Sequence, residues 1–394
     1  MYEPASPPQE PSPNYSLMTF VLSWSGMAIM SSLYVTIPLL STFAGIFKVA
    51  PTQAAWTSSA FSICFALGCL FYGPLSDRFG RKTVILSGLA ALAVISLLTG
   101  LIADLSWLII CRGLQGAAAA TFSPVALAYA VDVFPAAKRV MTIGFINTGF
   151  LLAGIVGQLL SSYVSQHYGW NLIFYLLGII YGATVWLLWR FLPRSSVPPA
   201  DAGILAIFRQ LGTVLTQKPL LCCYAIASTV LLSFVGMYTA LSNYLSSPAF
   251  AFTAEQIFAV RSMGIVGMLL SPYAGRLVAK HGLFAVLRTG MAISVSGLLL
   301  LGISSTLISL VAASVIFVAG LAIFPPALIA IIGRLGGTAR GAAVSAYTFI
   351  LFAGASIGPA FALTVLATGG FPLTCLALAL CLCCGLAASF FIRI

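Results

Sequence analysis

Acidic and imidazole side chains are the scarcest chemistry in this chain. Seven of 394 residues are Asp or Glu and two are His. The acids are Glu3, Glu10, Asp77, Asp104, Asp132, Asp201 and Glu255, and none lies in the middle of an apolar run. His167 and His281 stand apart, in stretches read as loops, with no nucleophile arranged beside them. No G-x-x-x-x-G-K-[ST] loop is present, which removes ATP as an energy source. The nine cysteines lie inside apolar segments without a C-x-x-C…His context, so neither zinc nor a disulfide framework is indicated. Catalysis by paired carboxylates or a triad has no material here, and the chain is read as a non-enzyme without cofactor or metal.

Charge of any sign is also rare. Only 6% of residues are charged against 61% hydrophobic, and mean hydropathy is +1.09. Such a composition leaves little from which to build a water-facing surface, so the chain is an all-α integral membrane protein. The net charge of +11 does not point to nucleic acid, because the bases fall at the ends of apolar runs, as membrane topology requires. Twelve spans of roughly 20 or more apolar residues fit at 18–43, 52–75, 83–102, 106–132, 140–164, 170–191, 219–246, 255–279, 284–302, 305–333, 341–366 and 371–392. With both termini in the cytoplasm, nearly every base falls on that side. Lys48 lies outside, and Arg112 and Arg261 lie in or near the bilayer. The Pro- and Ser-rich residues 1–16 read as a disordered cytoplasmic tail, 17–191 and 219–394 as two six-helix bundles, and 192–218 as a linker. Within the linker, Ile204, Leu205, Ile207, Phe208, Leu211 and Leu215 recur at helical spacing, which predicts an interfacial amphipathic helix; a passive tether is the alternative.

The halves repeat. Arg139 and Arg340 open corresponding helices, Phe122-Ser123-Pro124 matches Phe324-Pro325-Pro326, and Gly275-Arg276 stands where Asp77-Arg78 stands in the first half. Parallel repeats of this kind bind their substrate between the halves, near mid-membrane.

The densest cluster of charge is Gly73-Pro74-Leu75-Ser76-Asp77-Arg78-Phe79-Gly80-Arg81-Lys82, one acid and three bases between two apolar runs. It reads as a tight loop, with Gly73 and Gly80 supplying close backbone approach or a positive φ. Its pattern, G-x-L-x-D-R-x-G-R-K, resembles the loop between the second and third helices of the major facilitator superfamily of transporters. The resemblance implies two pseudo-symmetric six-helix bundles around a central cavity. It also implies a conformational latch of Gly73, Asp77, Arg78, Gly80, Arg81 and Asp132, in which Asp77 meets the start of the eleventh helix near 339–342. Arg78 or Arg81 then pairs with Asp132.

Arg112-Gly113-Leu114-Gln115-Gly116 resembles the family's fourth-helix R-x-x-Q-G pattern, which implies a role in proton coupling for Arg112 and Gln115. A structural arginine bonded to backbone carbonyls is the alternative. A charge inside a span costs about 2.5–3.5 kcal/mol on insertion scales, so it faces a cavity or a partner. The fifth-helix pattern of antiporter members is met only in part: Gly149 and Gly157 fit, while Ala153, Gly154 and Gln158 depart from it. Trp24, Tyr34, Asn147, Tyr238, Asn243, Arg261 and Tyr347 are the candidates for a substrate cavity, being polar, charged or aromatic within apolar helices. Arg261 is also placed to snorkel to an interface. With no acid in mid-span, neutral or anionic substrates are favoured over cations.

The expectation is a monomeric secondary transporter in a bacterial inner membrane, with the proton gradient as its energy source. Efflux of small amphipathic molecules by alternating access is the first reading. The alternatives are a uniporter or proton symporter for an anionic or sugar-like metabolite, and a scaffold or sensor that transports nothing.

Overall fold

A computed structural model describes residues 14–193, 204–248 and 250–392, and among these every regular element is helical. The first half contains α1 (Tyr15–Tyr34), α2 (Trp56–Phe79), α3 (Arg81–Thr99), α4 (Leu105–Val133), α5 (Ala136–Tyr168) and α6 (Trp170–Phe191). The second contains α7 (Lys218–Ser246), α8 (Ala254–His281), α9 (Leu283–Ile303), α10 (Leu307–Leu335), α11 (340–368) and α12 (371–388).

The last two are continuous in hydrogen bonding yet separate in direction. A single 49-residue helix would be about 74 Å long at 1.5 Å per residue, more than twice the roughly 30 Å of a bilayer core. Non-helical angles at Gly369 and Gly370 (φ +71° at the latter) turn the chain between them. The twelve expected spans are therefore found. The first is shorter than expected: α1 ends at Tyr34, and a separate short helix, Leu40–Ile46, follows.

Local chemistry sets the helix ends. Asn14 accepts from the Leu17 amide at 3.1 Å to start α1, and Asp104 accepts from the amides of Ser106 (2.9 Å) and Trp107 (3.1 Å) to start α4. Thr253 and Gln256 cap α8 reciprocally. Two helices are interrupted: α4 loosens at Ala120–Phe122 before Pro124, and α8 around Met263–Gly264 and again at Ser271–Tyr273.

Within each half, close pairs form the walls: α1 on α5, α2 on α4 and α3 on α6 in the first, α7 on α11 and α9 on α10 in the second. The halves meet through α2 with α11 and α5 with α8 and α10. Apolar side chains face outward at full exposure, as at Ile303 (81%) and Ile308 (83%), a surface suited to lipid and not to water. The linker helix Ile204–Val214 lies against α2 and α11, on the face where the halves meet. The expected disordered tail falls largely at 1–13, outside the described residues, as do linker residues 194–203.

One expectation is corrected. The 73–82 stretch is not a loop: α2 runs on to Phe79 with Pro74 inside it, and only Gly80 (φ +87°, ψ +136°) leaves the helix before α3 begins. Both histidines likewise lie in final helical turns, His167 in α5 and His281 in α8.

Candidate functional site

Two structures built from charged and polar residues stand at different depths of the bundle. The first closes one end. Gly73 and Gly80, alike in sequence, divide two jobs. Gly80 provides the positive φ between α2 and α3. Gly73 provides close approach: its amide donates to Ser345 Oγ at 2.9 Å, and a Cβ there would collide with Ser345 and the Gly341 carbonyl on α11. One turn on, the Asp77 carboxylate lies against Gly341 at the start of α11, where the helix dipole favours an anion. Arg81 then gathers the corner. Its Nη2 meets Asp77 Oδ1 at 2.5 Å, its Nε donates to Asp132 Oδ2 at 3.0 Å, and its Nη1 donates to Ser76 Oγ at 2.6 Å and to the Gly73 carbonyl at 3.2 Å.

The other oxygen of Asp132 is taken from across the divide, by Arg340 Nη1 at 2.7 Å. The Asp132 side chain is 1% exposed, so neither ion pair is a weak surface pair. Arg78 is not part of this corner; its guanidinium lies over the Phe79 ring, 5.3 Å from the centroid. Arg340 was not among the sequence candidates. The signal was present, since a base in the first turn of a helix opposes the dipole and calls for a carboxylate.

The repeat builds a second, uncharged seam at the same end. Gly144 of α5 meets the backbone of Ser271 and Pro272 of α8, a glycine against a serine position with the roles of Gly73 and Ser345 exchanged. Gly275, which holds Asp77's place in the repeat, packs directly on the Met141 backbone.

The second structure is a cavity of about 400 Å³ between the halves, walled by α1, α5, α7, α8 and α11. Tyr34, Asn147, Tyr238, Asn243 and Arg261 all line it. It extends away from the closed end, reaching Ile37 beyond the end of α1 and Asn243 near the end of α7. Asn147 Nδ2 donates across the divide to Ser271 Oγ at 3.1 Å. Tyr238 donates its O–H to the Arg261 carbonyl at 3.3 Å, and its ring stands 5.2 Å from the Arg261 guanidinium. The interruption of α8 makes this fit possible, because a Cβ on Gly264 would occupy the place of the Tyr238 hydroxyl.

Two further sequence candidates lie elsewhere. Trp24 donates to Thr184 on α6 at 3.3 Å, and Tyr347 is buried at 2% exposure; neither is among the lining residues. Gln158 lines the cavity although the sequence marked it only as a departure from a motif. It lies 11 residues after Asn147, about three turns at 3.6 residues per turn, and so on the same face of α5.

Arg112 is in neither structure. Fully buried, it donates through Nη2 to the Ser32 carbonyl (2.7 Å), through Nε to the Thr57 carbonyl (3.2 Å), and through Nη1 to Gln115 Oε1 (2.7 Å) and Ser32 Oγ (3.3 Å). Gln115 continues to Ser96 Oγ at 3.0 Å and Thr99 Oγ1 at 3.2 Å. The pair thus ties α4 to α1, α2 and α3, with the guanidinium 4.4 Å from the Phe61 ring centroid.

Comparison with known proteins agrees with this arrangement. An uncharacterized transporter of Buchnera aphidicola (subsp. Schizaphis graminum) is 26% identical over 344 residues, 87% of this chain and 83% of that protein. The crystal structure of FucP, a Major Facilitator Superfamily transporter in the outward conformation, superposes with a TM-score of 0.75 at 17% identity, over 96% of this chain and 99% of that one. The human organic anion transporter MFSD10 gives 0.74 at 15% identity, over 97% and 100%. The Major Facilitator Superfamily model itself matches residues 22–264, more than half of the sequence. Two repeated bundles meeting around a cavity, and a family match of that extent, lead to one conclusion: the chain belongs to the Major Facilitator Superfamily and is a membrane transporter.

Proposed function

We propose that this transporter exports small amphipathic molecules by alternating access, coupled to inward movement of protons. One observation carries the reading: the cavity between the halves is shut at one end by the Asp77–Arg81–Asp132–Arg340 corner and extends toward the other. With the termini cytoplasmic, as the distribution of bases favours, the shut end is the cytoplasmic one and the substrate leaves toward the outside. Asp77, Arg81 and Asp132 then form a latch that must part for substrate to enter from the cytoplasm, and Gly73 and Gly80 shape it. The cavity's lining, apolar with a few amides and hydroxyls and the Arg261 guanidinium, suits an amphipathic molecule, and a volume near 400 Å³ falls within the roughly 300–1,000 Å³ of small-molecule sites.

Arg112 and Gln115 take part in coupling through the position of α1. Arg112, held by Gln115, bonds to Ser32 and so fixes the helix that presents Met30 and Tyr34 to the cavity, while the guanidinium itself stays behind the wall.

A second reading is favoured by the acids. Among the described residues no Asp or Glu lines the cavity, so nothing there both binds a cation and takes a proton. A uniporter or symporter for an anionic metabolite needs no such group.

Purified protein in liposomes with an interior pH dye separates the two. Substrate-dependent proton flux opposite to substrate movement is expected of the exporter, and normal proton-driven transport in Arg112→Ala sinks the coupling role of Arg112. Substrate movement without any proton signal gives first place to the uniporter.

A further inference from the structure

The two intramembrane arginines are in opposite chemical states. Arg112 spends its guanidinium on two carbonyls, a hydroxyl and an amide. Arg261 spends its on none: among the described residues no hydrogen-bond acceptor or carboxylate is paired with it, and its contact is the face of the Tyr238 ring. It is also the single charged residue among those lining the cavity. The described acids are committed elsewhere. Asp77 and Asp132 are ion-paired at the closed end, Asp104 caps α4, and Glu255 is exposed in the first turn of α8 without an ion pair to Arg261.

An unpartnered guanidinium walled by apolar groups is costly until water or an anion completes its shell. Its planar fork fits a carboxylate with two parallel N–H···O bonds, a match that an ammonium lacks. The surroundings add shape. Phe150, Phe258, Phe352, Tyr34 and Tyr238 present rings or ring edges to the same space, and Asn147 and Gln158 stand on the facing wall of α5.

We infer that the transported substrate is a small organic anion, its carboxylate seated on Arg261 and its apolar or aromatic body held among the rings of the cavity. The inference rests on the reading of this cavity as the transported substrate's site. Tyr238 acts as a positioning residue: its hydroxyl holds the Arg261 carbonyl and its ring backs the guanidinium. The anion is the counter-ion that the described residues do not supply.

The test uses matched probes on the purified full chain in nanodiscs: 2-naphthoate, 2-naphthamide and 2-naphthyltrimethylammonium, with benzoate and decanoate to vary the body. The carboxylate is expected to bind at least about tenfold more tightly than the amide of equal shape, and the ammonium more weakly still. Arg261→Gln removes the preference and Arg261→Lys restores part of it, with melting temperature and elution profile confirming that each variant is folded. Saturable binding of no carboxylate in the wild type, equal binding of naphthoate and naphthamide, or a preference intact in Arg261→Gln overturns the assignment. The same probes are then followed by flux in liposomes. Arg261-dependent binding without flux upholds the site and removes the transport reading. Flux of the amide or ammonium at equal rates in wild type and Arg261→Gln leaves transport standing and removes the anion.

Discussion

At the scale of single residues, the sharpest case is one without a side chain. Gly73 brings α2 against α11 so closely that a methyl group has no place between the Gly341 carbonyl and the Ser345 hydroxyl. Both obstacles sit on a helix backbone or its first side-chain atoms, which yield little. Gly73→Ala is expected to hold the halves apart at this end and to lower initial transport rates at least about tenfold. Ser345→Ala removes a single hydrogen bond, worth about 0.5–1.5 kcal/mol, and leaves rates within about threefold. Rates per milligram of reconstituted protein decide it; a wild-type rate in Gly73→Ala means that the approach is not needed for the cycle. Arg112 makes the opposite argument, from many bonds. Arg112→Ala removes the donor to the Ser32 and Thr57 carbonyls and to Gln115 Oε1, each hydrogen bond from a charged group being worth about 1.5–3 kcal/mol. A lower melting temperature in detergent is expected, with Arg112→Lys recovering part of it. An unchanged melting temperature in the alanine variant contradicts the clamp geometry.

Whole helices carry the closure, and they do so in two unlike seams. The α2–α11 seam is charged, whereas the α5–α8 seam rests on close backbone contact and the neutral Asn147–Ser271 hydrogen bond, because the repeat has Gly275 where the first half has Asp77. Opening therefore responds to changes in the corner residues of one seam only. Asp132 bridges Arg81 and Arg340, so Asp132→Ala and Arg340→Ala break the same contact across the halves. Each is expected to speed amide exchange in 73–82 and 336–345 severalfold, and the double variant to add little to Asp132→Ala, as shared partners require. Strictly additive effects in exchange mass spectrometry would show that the two residues act separately. The spans themselves were legible in the sequence, since uninterrupted apolar runs of sufficient length admit little else. The 73–82 stretch was not: Gly, Pro and four charges mark a break in water, yet neighbouring helices satisfy the backbone and carry α2 on to Phe79. Gathering Tyr34, Asn147, Tyr238, Asn243 and Arg261 around one cavity depends on how four helices are rotated, which no local pattern fixes. Trp24 and Tyr347 share the polarity of the cavity residues, yet Trp24 bonds to Thr184 in its own half and Tyr347 is buried outside the lining.

For the molecule as a whole, the proposed latch and the proposed substrate cavity share no residue. The corner at the closed end contains none of the cavity lining, and Arg112 touches the cavity only through α1. In the proposed function Asp77 belongs to the latch and not to the cavity. Its carboxylate meets the start of α11 and the Arg81 guanidinium, so neutralising it removes a charge–dipole interaction of about 0.3–2 kcal/mol together with an ion pair. Each 1.4 kcal/mol is about a tenfold change in the ratio of the two conformations. Asp77→Asn keeps the shape of the side chain while lowering the closed population by that order. Transport is expected to fall about tenfold, because a cycle slows when one of its states is depleted, while the dissociation constant of a cavity ligand moves by no more than about twofold. Paired measurements of flux and equilibrium binding on the same preparation test this. A large loss of affinity with an unchanged maximal rate would place Asp77 in the substrate's path and dissolve the division between latch and cavity.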